Sequence, residues 1–291
     1  MNDHVKGILF ILLAALGFAF MSFFVKMAGD VPTMQKAFFR NIVAVLIASV
    51  SLVRYKGSLH VDKRDYLPLF LRSLFGTIGL IFNFWAISRL ALPDANILNK
   101  MSPFFAVLMS IFILGERPNS MDILTVIVAF VGAMFVVKPT AGLASLPAIV
   151  GLIGGMCAGT AYTFVRKLGK HNVPGPLIVF VFSAFSSIVC LIPMLMDYQP
   201  MTFIQLLCLI LAGCSAALGQ FSVTAAYTFA PAKEISVFDY SQVIYAAILG
   251  FLVFHEWPDR MSLIGYVLII GTAIVKWYLN THGGENETVQ E

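Results

Sequence analysis

Four ionisable side chains, Arg40, Arg72, Lys100 and Asp239, stand about six or seven residues inside long hydrophobic runs. A charge at the centre of a membrane-spanning helix costs roughly 2.5 to 3.5 kcal/mol on insertion scales, so such residues face a cavity or a partner. One acid among three bases offers ion pairing, proton exchange and attraction of an anion. Asp239 has two readings: a gating group that exchanges a proton as a cavity opens, or the permanent counter-ion of Arg72. Lys100 reads as a cavity cation for a carboxylate or phosphate. Arg40 reads as a long side chain snorkelling to the interface.

Uncharged polar residues deep in the same runs offer hydrogen bonds without the full desolvation cost of a charge. Asn83, Asn96, Asn99, Tyr162, Gln220, Thr224, Tyr240 and Gln242 meet that description, with Asn83 and Gln220 nearest mid-span. Each has the plainer reading of a helix–helix hydrogen bond. The expected solute contacts are Asn83, Asn99, Lys100, Tyr162, Gln220 and Tyr240. Arg72 and Asp239 are expected to couple or gate, and Pro103, inside an apolar run, to kink its helix and act as a flexing point. Gly151, Gly155 and Gly159 form a GxxxGxxxG row that allows close helix packing.

Enzymatic constellations are missing. There is no HExxH and no GxxxxGK[ST], and His4, His60, His171, His255 and His282 fall in loops, tails or helix ends. Cys157, Cys190, Cys208 and Cys214 lie in apolar runs without CxxC spacing or neighbouring histidines, so they read as packing residues rather than metal ligands. No catalytic residue, metal or cofactor is expected. An intramembrane enzyme is therefore the weak alternative of a different class.

The elements that must position these groups are set by composition. The 291 residues are 59% hydrophobic and 12% charged, against roughly 25% charged in a soluble domain. Mean hydropathy is +0.88. Apolar runs predict ten transmembrane helices, at 5–27, 34–54, 66–90, 94–115, 119–138, 148–167, 175–196, 203–228, 232–254 and 260–279. The fold class is all-α integral membrane, with short loops and a retained first helix. With the N-terminus inside, the inner side carries Lys6, Arg54, Lys56, Lys63, Arg64, Arg117, Arg166, Lys167, Lys170, Lys233 and Lys276, and the outer side only Lys26, Lys36, Arg89, Lys138 and Arg260. That bias places both termini in the cytoplasm. The Asn286-Glu287-Thr288 sequon then lies on the wrong side for glycosylation. Measured from helix ends, Arg40 and Lys100 fall in the outer half and Arg72 and Asp239 in the inner half, none at the midplane. A direct Lys100–Asp239 bridge is rejected on that geometry, and Arg72 is preferred as the partner of Asp239.

A shift of 140 positions superposes the halves. Lys26-Met27-Ala28-Gly29 falls on Arg166-Lys167-Leu168-Gly169, Asp94 on Glu234, and Leu114-Gly115-Glu116-Arg117-Pro118 on Phe254-His255-Glu256-Trp257-Pro258. Five spans per half invert the second half relative to the first, the arrangement by which secondary transporters open a midplane site to alternate sides. Glu116 and Glu256, closing corresponding helices on opposite faces, read as loop anchors.

These motifs, with Lys36-Ala37-Phe38-Phe39-Arg40-Asn41, Phe84-Trp85-Ala86-Ile87 and Ser102-Pro103, resemble the EamA-type ten-helix members of the drug/metabolite transporter superfamily. The resemblance covers nearly the whole chain. It implies an EamA-like repeat over 1–140, another over 141–280 and a polar tail over 281–291. It also implies a central cavity lined mainly by helices one, three, four, six, eight and nine, in proteins that often export amino acids or related metabolites. The expected function is secondary transport, as an exporter, of small polar metabolites such as amino acids, related zwitterions or organic anions. A proton-coupled multidrug or organic-cation exporter is the alternative. The expected partners are a small-molecule solute and the lipid bilayer of the cell membrane, with no nucleic acid and a homodimer as a possible assembly.

Overall fold

The computed structural model describes residues 3–55, 57, 59, 61–115, 120–137, 146–229 and 236–282. Glu116 to Pro118, the turn at 139–142, Lys233, Glu234 and the 286–288 sequon lie outside them. Hydrophobic runs become helices because a lipid-embedded backbone must satisfy its own hydrogen bonds. The first half holds α1 (Asp3–Met27), α2 (Thr33–Arg54), α3 (Tyr66–Ile87), a divided fourth helix, α4a (Leu92–Asn99) and α4b (Ser102–Leu114), and α5 (Ser120–Val137). The second holds α6 (Leu146–Lys170), α7 (Gly175–Met196), α8 (Phe203–Phe229), a 3-10 segment (Ser236–Tyr240) leading into α9 (Ser241–Phe254), and α10 (Arg260–His282). Eight spans are long and apolar enough to cross a membrane, and those of α5 and α9 are shorter apolar helices. Val53, Phe112, Ile192 and Val267 stand exposed on the perimeter, as a lipid solvent allows.

The halves interlock by pseudo-twofold pairing. α1 packs most extensively on α8, and its counterpart α6 on α3; α2 meets α7, α5 meets α10, and α4a meets α9. Each pair maps onto itself or onto another when a helix is exchanged for the one five further on. The close approaches repeat too. Gly79 in α3 lies so near α6 that a Cβ would meet the Gly154 carbonyl at 3.0 Å, while at Gly219 in α8, 140 residues on, a Cβ would meet Phe18 of α1 at 2.9 Å. The molecule is thus an all-α membrane protein of two inverted five-helix repeats.

Helix ends match as well. α4b closes on Gly115 at φ 67° and α9 on His255 at φ 55°, again 140 apart, with the cap amides bonded back to Ser110 and Gly250. A left-handed cap satisfies otherwise orphaned carbonyls; glycine adopts it freely, and histidine is among the side chains that tolerate it. Beyond the α9 cap, Glu256 accepts a hydrogen bond from the Leu92 amide at 2.9 Å and pairs with Lys26, whose ammonium also donates to the Leu90 carbonyl at 2.6 Å. One carboxylate thereby ties the ends of α1 and α9 to the start of α4a. At the opposite face Asp65, 1% exposed, meets His171 at 2.5 Å and joins the α3 entry to the end of α6.

Candidate functional site

The site is built where the fourth helix is divided and the ninth begins as a 3-10 turn. Proline at 103 has no N–H for the Asn99 carbonyl, and the Phe104 amide turns to Met101 at 3.0 Å instead of reaching Lys100. The Lys100 carbonyl accepts from the Tyr240 hydroxyl at 3.2 Å. The expected kink is therefore a two-residue turn at Lys100 and Met101 that divides the helix, and Pro103 sits in the first turn of α4b, where proline is tolerated. Its counterpart in the second half is milder: at Tyr240 and Ser241, the positions matching Lys100 and Met101, a 3-10 turn passes straight into α9 without any proline. The two irregular turns meet through the Tyr240 hydroxyl.

Lys100 and Asp239 join across this junction in a direct ion pair, their side chains 11% and 22% exposed. This overturns both the rejection of that bridge and the preference for Arg72 as partner of Asp239. Depth has to be counted from the register of the antiparallel pair rather than from helix ends. A Cβ on Gly250 would meet Pro93 at 3.4 Å, fixing a common level. Lys100 is seven residues from that level and Asp239 eleven, a difference of about 6 Å at 1.5 Å per residue, which a lysine side chain spans. Below the pair, Gln242 donates to the Asn96 side-chain oxygen at 2.5 Å, Ser22 of α1 donates to the same oxygen at 3.1 Å, and Asn96 donates to the Leu92 carbonyl at 2.8 Å. Three helices are thus locked at the start of α4a.

The glycine row of α6 presses on the break. A Cβ at Gly155 would lie 2.6 Å from the Leu98 carbonyl oxygen, and one at Gly159 2.5 Å from that of Ser102. Only glycine lets α6 seat there, so the row positions the site through packing.

Arg72 is 6% exposed, with its guanidinium carbon 4.2 Å from the Phe182 ring centroid. Arg40 does not snorkel. It is 7% exposed and donates from Nη1 to Asn41 at 2.7 Å, and Asn41 is held in turn by Ser186 of α7 at 2.7 Å. Tyr162, 51% exposed on α6, lies within electrostatic range of Arg40, Arg72 and Asp239. The arginines and the ion pair therefore share one neighbourhood. Asn83 is buried with its side-chain oxygen unpartnered, and Asn99 and Gln220 are half-buried on α4a and α8.

The other buried side-chain polar atoms with no hydrogen-bond partner are Arg40 Nε, Arg72 Nε, Thr77 Oγ1, Asp239 Oδ1 and Ser241 Oγ, together with Ser262 Oγ at the start of α10, away from the junction. Buried polar groups are normally satisfied, so such orphans in one interior suit a polar guest or water. Two clefts open between largely apolar side chains: one of about 570 Å³ beside Val50 and Phe221, away from this site, and one of about 330 Å³ between Ile244 and Ile270 that reaches Tyr240 and Ser241 at the edge of the junction. Sequence reasoning missed Ser22, which had no signal in its apolar run, and the Lys26–Glu256 tie, whose signal was the matching of those positions to Arg166 and Glu116. Among the described residues no group of three or more acids, histidines and cysteines is arranged to hold a metal ion.

Comparison with known proteins extends this picture. The pseudopaline exporter of Pseudomonas aeruginosa is 31% identical over 273 residues, covering 92% of this chain and 95% of the exporter. The riboflavin transporter of Vibrio cholerae is 26% identical, with 95% of each chain covered. A crystal structure of a protein 15% identical superposes with a TM-score of 0.67 over 95% of this chain and 98% of that one, which shows the shared fold. The EamA-like transporter family model matches twice, over residues 5–138 and 145–277, one match to each inverted half. This chain, a multi-pass membrane transporter and not an enzyme, belongs to the EamA-like transporter family.

Proposed function

We propose that the protein is a secondary exporter of small polar metabolites, amino acids and related zwitterions or organic anions among them, working by alternating access around the junction of the divided fourth helix and the ninth. The observation that carries this reading is the largely shielded Lys100–Asp239 pair, at the divided fourth helix and the symmetry-related 3-10 entry of α9. Transporters place solute sites at discontinuous helices near the repeat interface, where half-helix ends and freed carbonyls meet a polar guest. A zwitterion can replace the pair with itself: its carboxylate takes Lys100, and its ammonium takes Asp239, whose Oδ1 is unpartnered. Tyr240 and Pro103 then act as the flexing point, and Asn83, Asn99, Tyr162 and Gln220 line the path.

The positive-inside bias supports both termini in the cytoplasm of a cell-membrane protein, with the Lys26–Glu256 tie on the outer face. In that orientation the outer face is held shut. Two relatives are named for pseudopaline and riboflavin, so substrate varies among related chains and is not carried over. The multidrug alternative calls for an aromatic pocket around an exposed acid. A paired Asp239 at 22% exposure does not favour it.

The test is flux in proteoliposomes with Lys100→Gln and Asp239→Asn. Loss of amino-acid and organic-acid flux in both variants, with each still monodisperse in detergent, is expected. Full flux without either side chain would overturn the assignment.

A further inference from the structure

The Lys100–Asp239 ion pair is neutral as a unit. Lys36, the other buried cation without a carboxylate partner among the described residues, lies near the start of α2 and donates to Ser88, which leaves Arg40 and Arg72 as unbalanced charges deeper in the interior. Both are more than nine-tenths buried, both have Nε without a partner, and among the described residues neither forms an ion pair with a carboxylate. Arg72 lies on Phe182 and Arg40 reaches Ser186 through Asn41, positions one turn apart on α7, so both guanidiniums face the same stretch of that helix. Removing one partner from a buried ion pair is strongly destabilising because it leaves a charge uncompensated, and two such charges gathered at one helix inside a membrane are worse. Yet both are held in place. Arg40 is oriented by the Asn41–Ser186 hydrogen bonds, and Arg72 lies over Phe182. Space is kept for the latter by Gly76, where a Cβ would fall 2.2 Å from Arg72 Nη1.

We infer that Arg40 and Arg72 form an anion subsite beside the Lys100–Asp239 junction, and that the transported solute carries at least two carboxylates, which these guanidiniums bind. Guanidinium is the side chain suited to this task, since its planar fork meets carboxylate oxygens two at a time and stays charged when buried. Tyr162, accessible and within range of both arginines and Asp239, connects the subsite to the junction and offers a hydroxyl to the same anion. This deepens the transporter reading and rests on it for the word solute. The binding itself does not depend on flux.

Thermal melting of the purified full-length protein tests the subsite separately from transport. Citrate and succinate are titrated against alanine, phosphate and sodium chloride at matched ionic strength. The expected result is a saturable rise of about 3 °C or more with the two polycarboxylates only. Arg40→Gln and Arg72→Gln should lose that rise while melting no lower than wild type without anion, since each removes an uncompensated buried charge. Gly76→Ala keeps the charge, displaces the guanidinium and should weaken the citrate response several-fold. A citrate shift unchanged in Arg72→Gln, an anion-free melting point well below wild type in both arginine variants, or a response to phosphate without citrate would each overturn the inference. Absence of flux with the citrate shift intact would count against the transporter reading and not against the subsite.

Discussion

Neutralising one member of the Lys100–Asp239 pair is predicted to be more damaging than neutralising both. With side chains 11% and 22% exposed, the pair is shielded enough that removing one partner leaves a buried charge, a loss of about 3 to 5 kcal/mol. Asp239→Asn should fall at the upper end, because Lys100 then joins Arg40 and Arg72 as a further interior cation without a counter-ion. Lys100→Met strands Asp239, one of whose oxygens already has no partner. The double variant removes both charges and should return to within about 1 kcal/mol of wild type, because neutral replacements of a buried pair are often close to neutral in stability. The assay is equilibrium unfolding in mixed lipid–detergent micelles for the four proteins of the cycle, with flux measured in parallel. Flux should be absent from all three variants, so stability and activity separate in the double variant. Single losses that add to within about 0.5 kcal/mol in the double variant would refute the pairing, since independent sites add that closely.

Three further outcomes follow from other parts of the molecule. If transport varies with pH, Asp239→Asn should remove that dependence in proteoliposomes, and an unchanged pH profile would take the coupling role from Asp239. Gly159→Ala places a methyl 2.5 Å from the Ser102 carbonyl oxygen, a backbone atom that cannot swing aside, so it should lower stability by about 1 to 3 kcal/mol, whereas Gly169→Ala, with nothing within 4 Å, should not. Chemical denaturation of the two variants makes the comparison. Glu256→Gln removes the charge that ties Lys26 to the start of α4a; a loss near 1.4 kcal/mol would shift the opening equilibrium of that face about tenfold. The readout is labelling of Asn99→Cys, in a background lacking the native cysteines, by an impermeant maleimide.

Much of this architecture is legible in the sequence because hydrophobic length and a repeated pattern are local signals. Spans ended within a few residues of their predicted bounds, except at the ninth, whose predicted start at 232 lies outside the described residues, and α7 at 175–196 matches on both sides. The break at Pro103 announced itself through a missing N–H, though as a kink. The 3-10 entry of α9 at Ser236–Tyr240 did not, since no residue type there forbids an α-helix. Which charges meet is likewise a matter of register between helices, and that register is set by Pro93 against Gly250, a contact no periodicity encodes. Arg40 shows the same gap. Its spacing allowed snorkelling, and only the Asn41–Ser186 bonds from a helix 145 residues away keep it inside.

The account stands or falls on solute exchange. Counterflow in proteoliposomes, with amino acids, organic acids and nucleosides as unlabelled internal solutes against labelled external ones, tests it most directly. The predicted result is transient accumulation of an amino acid or organic acid, recovered chemically unchanged and lost in Lys100→Met/Asp239→Asn. No exchange with any solute of these classes, or exchange that survives the double substitution, would contradict a carrier site at this helix junction.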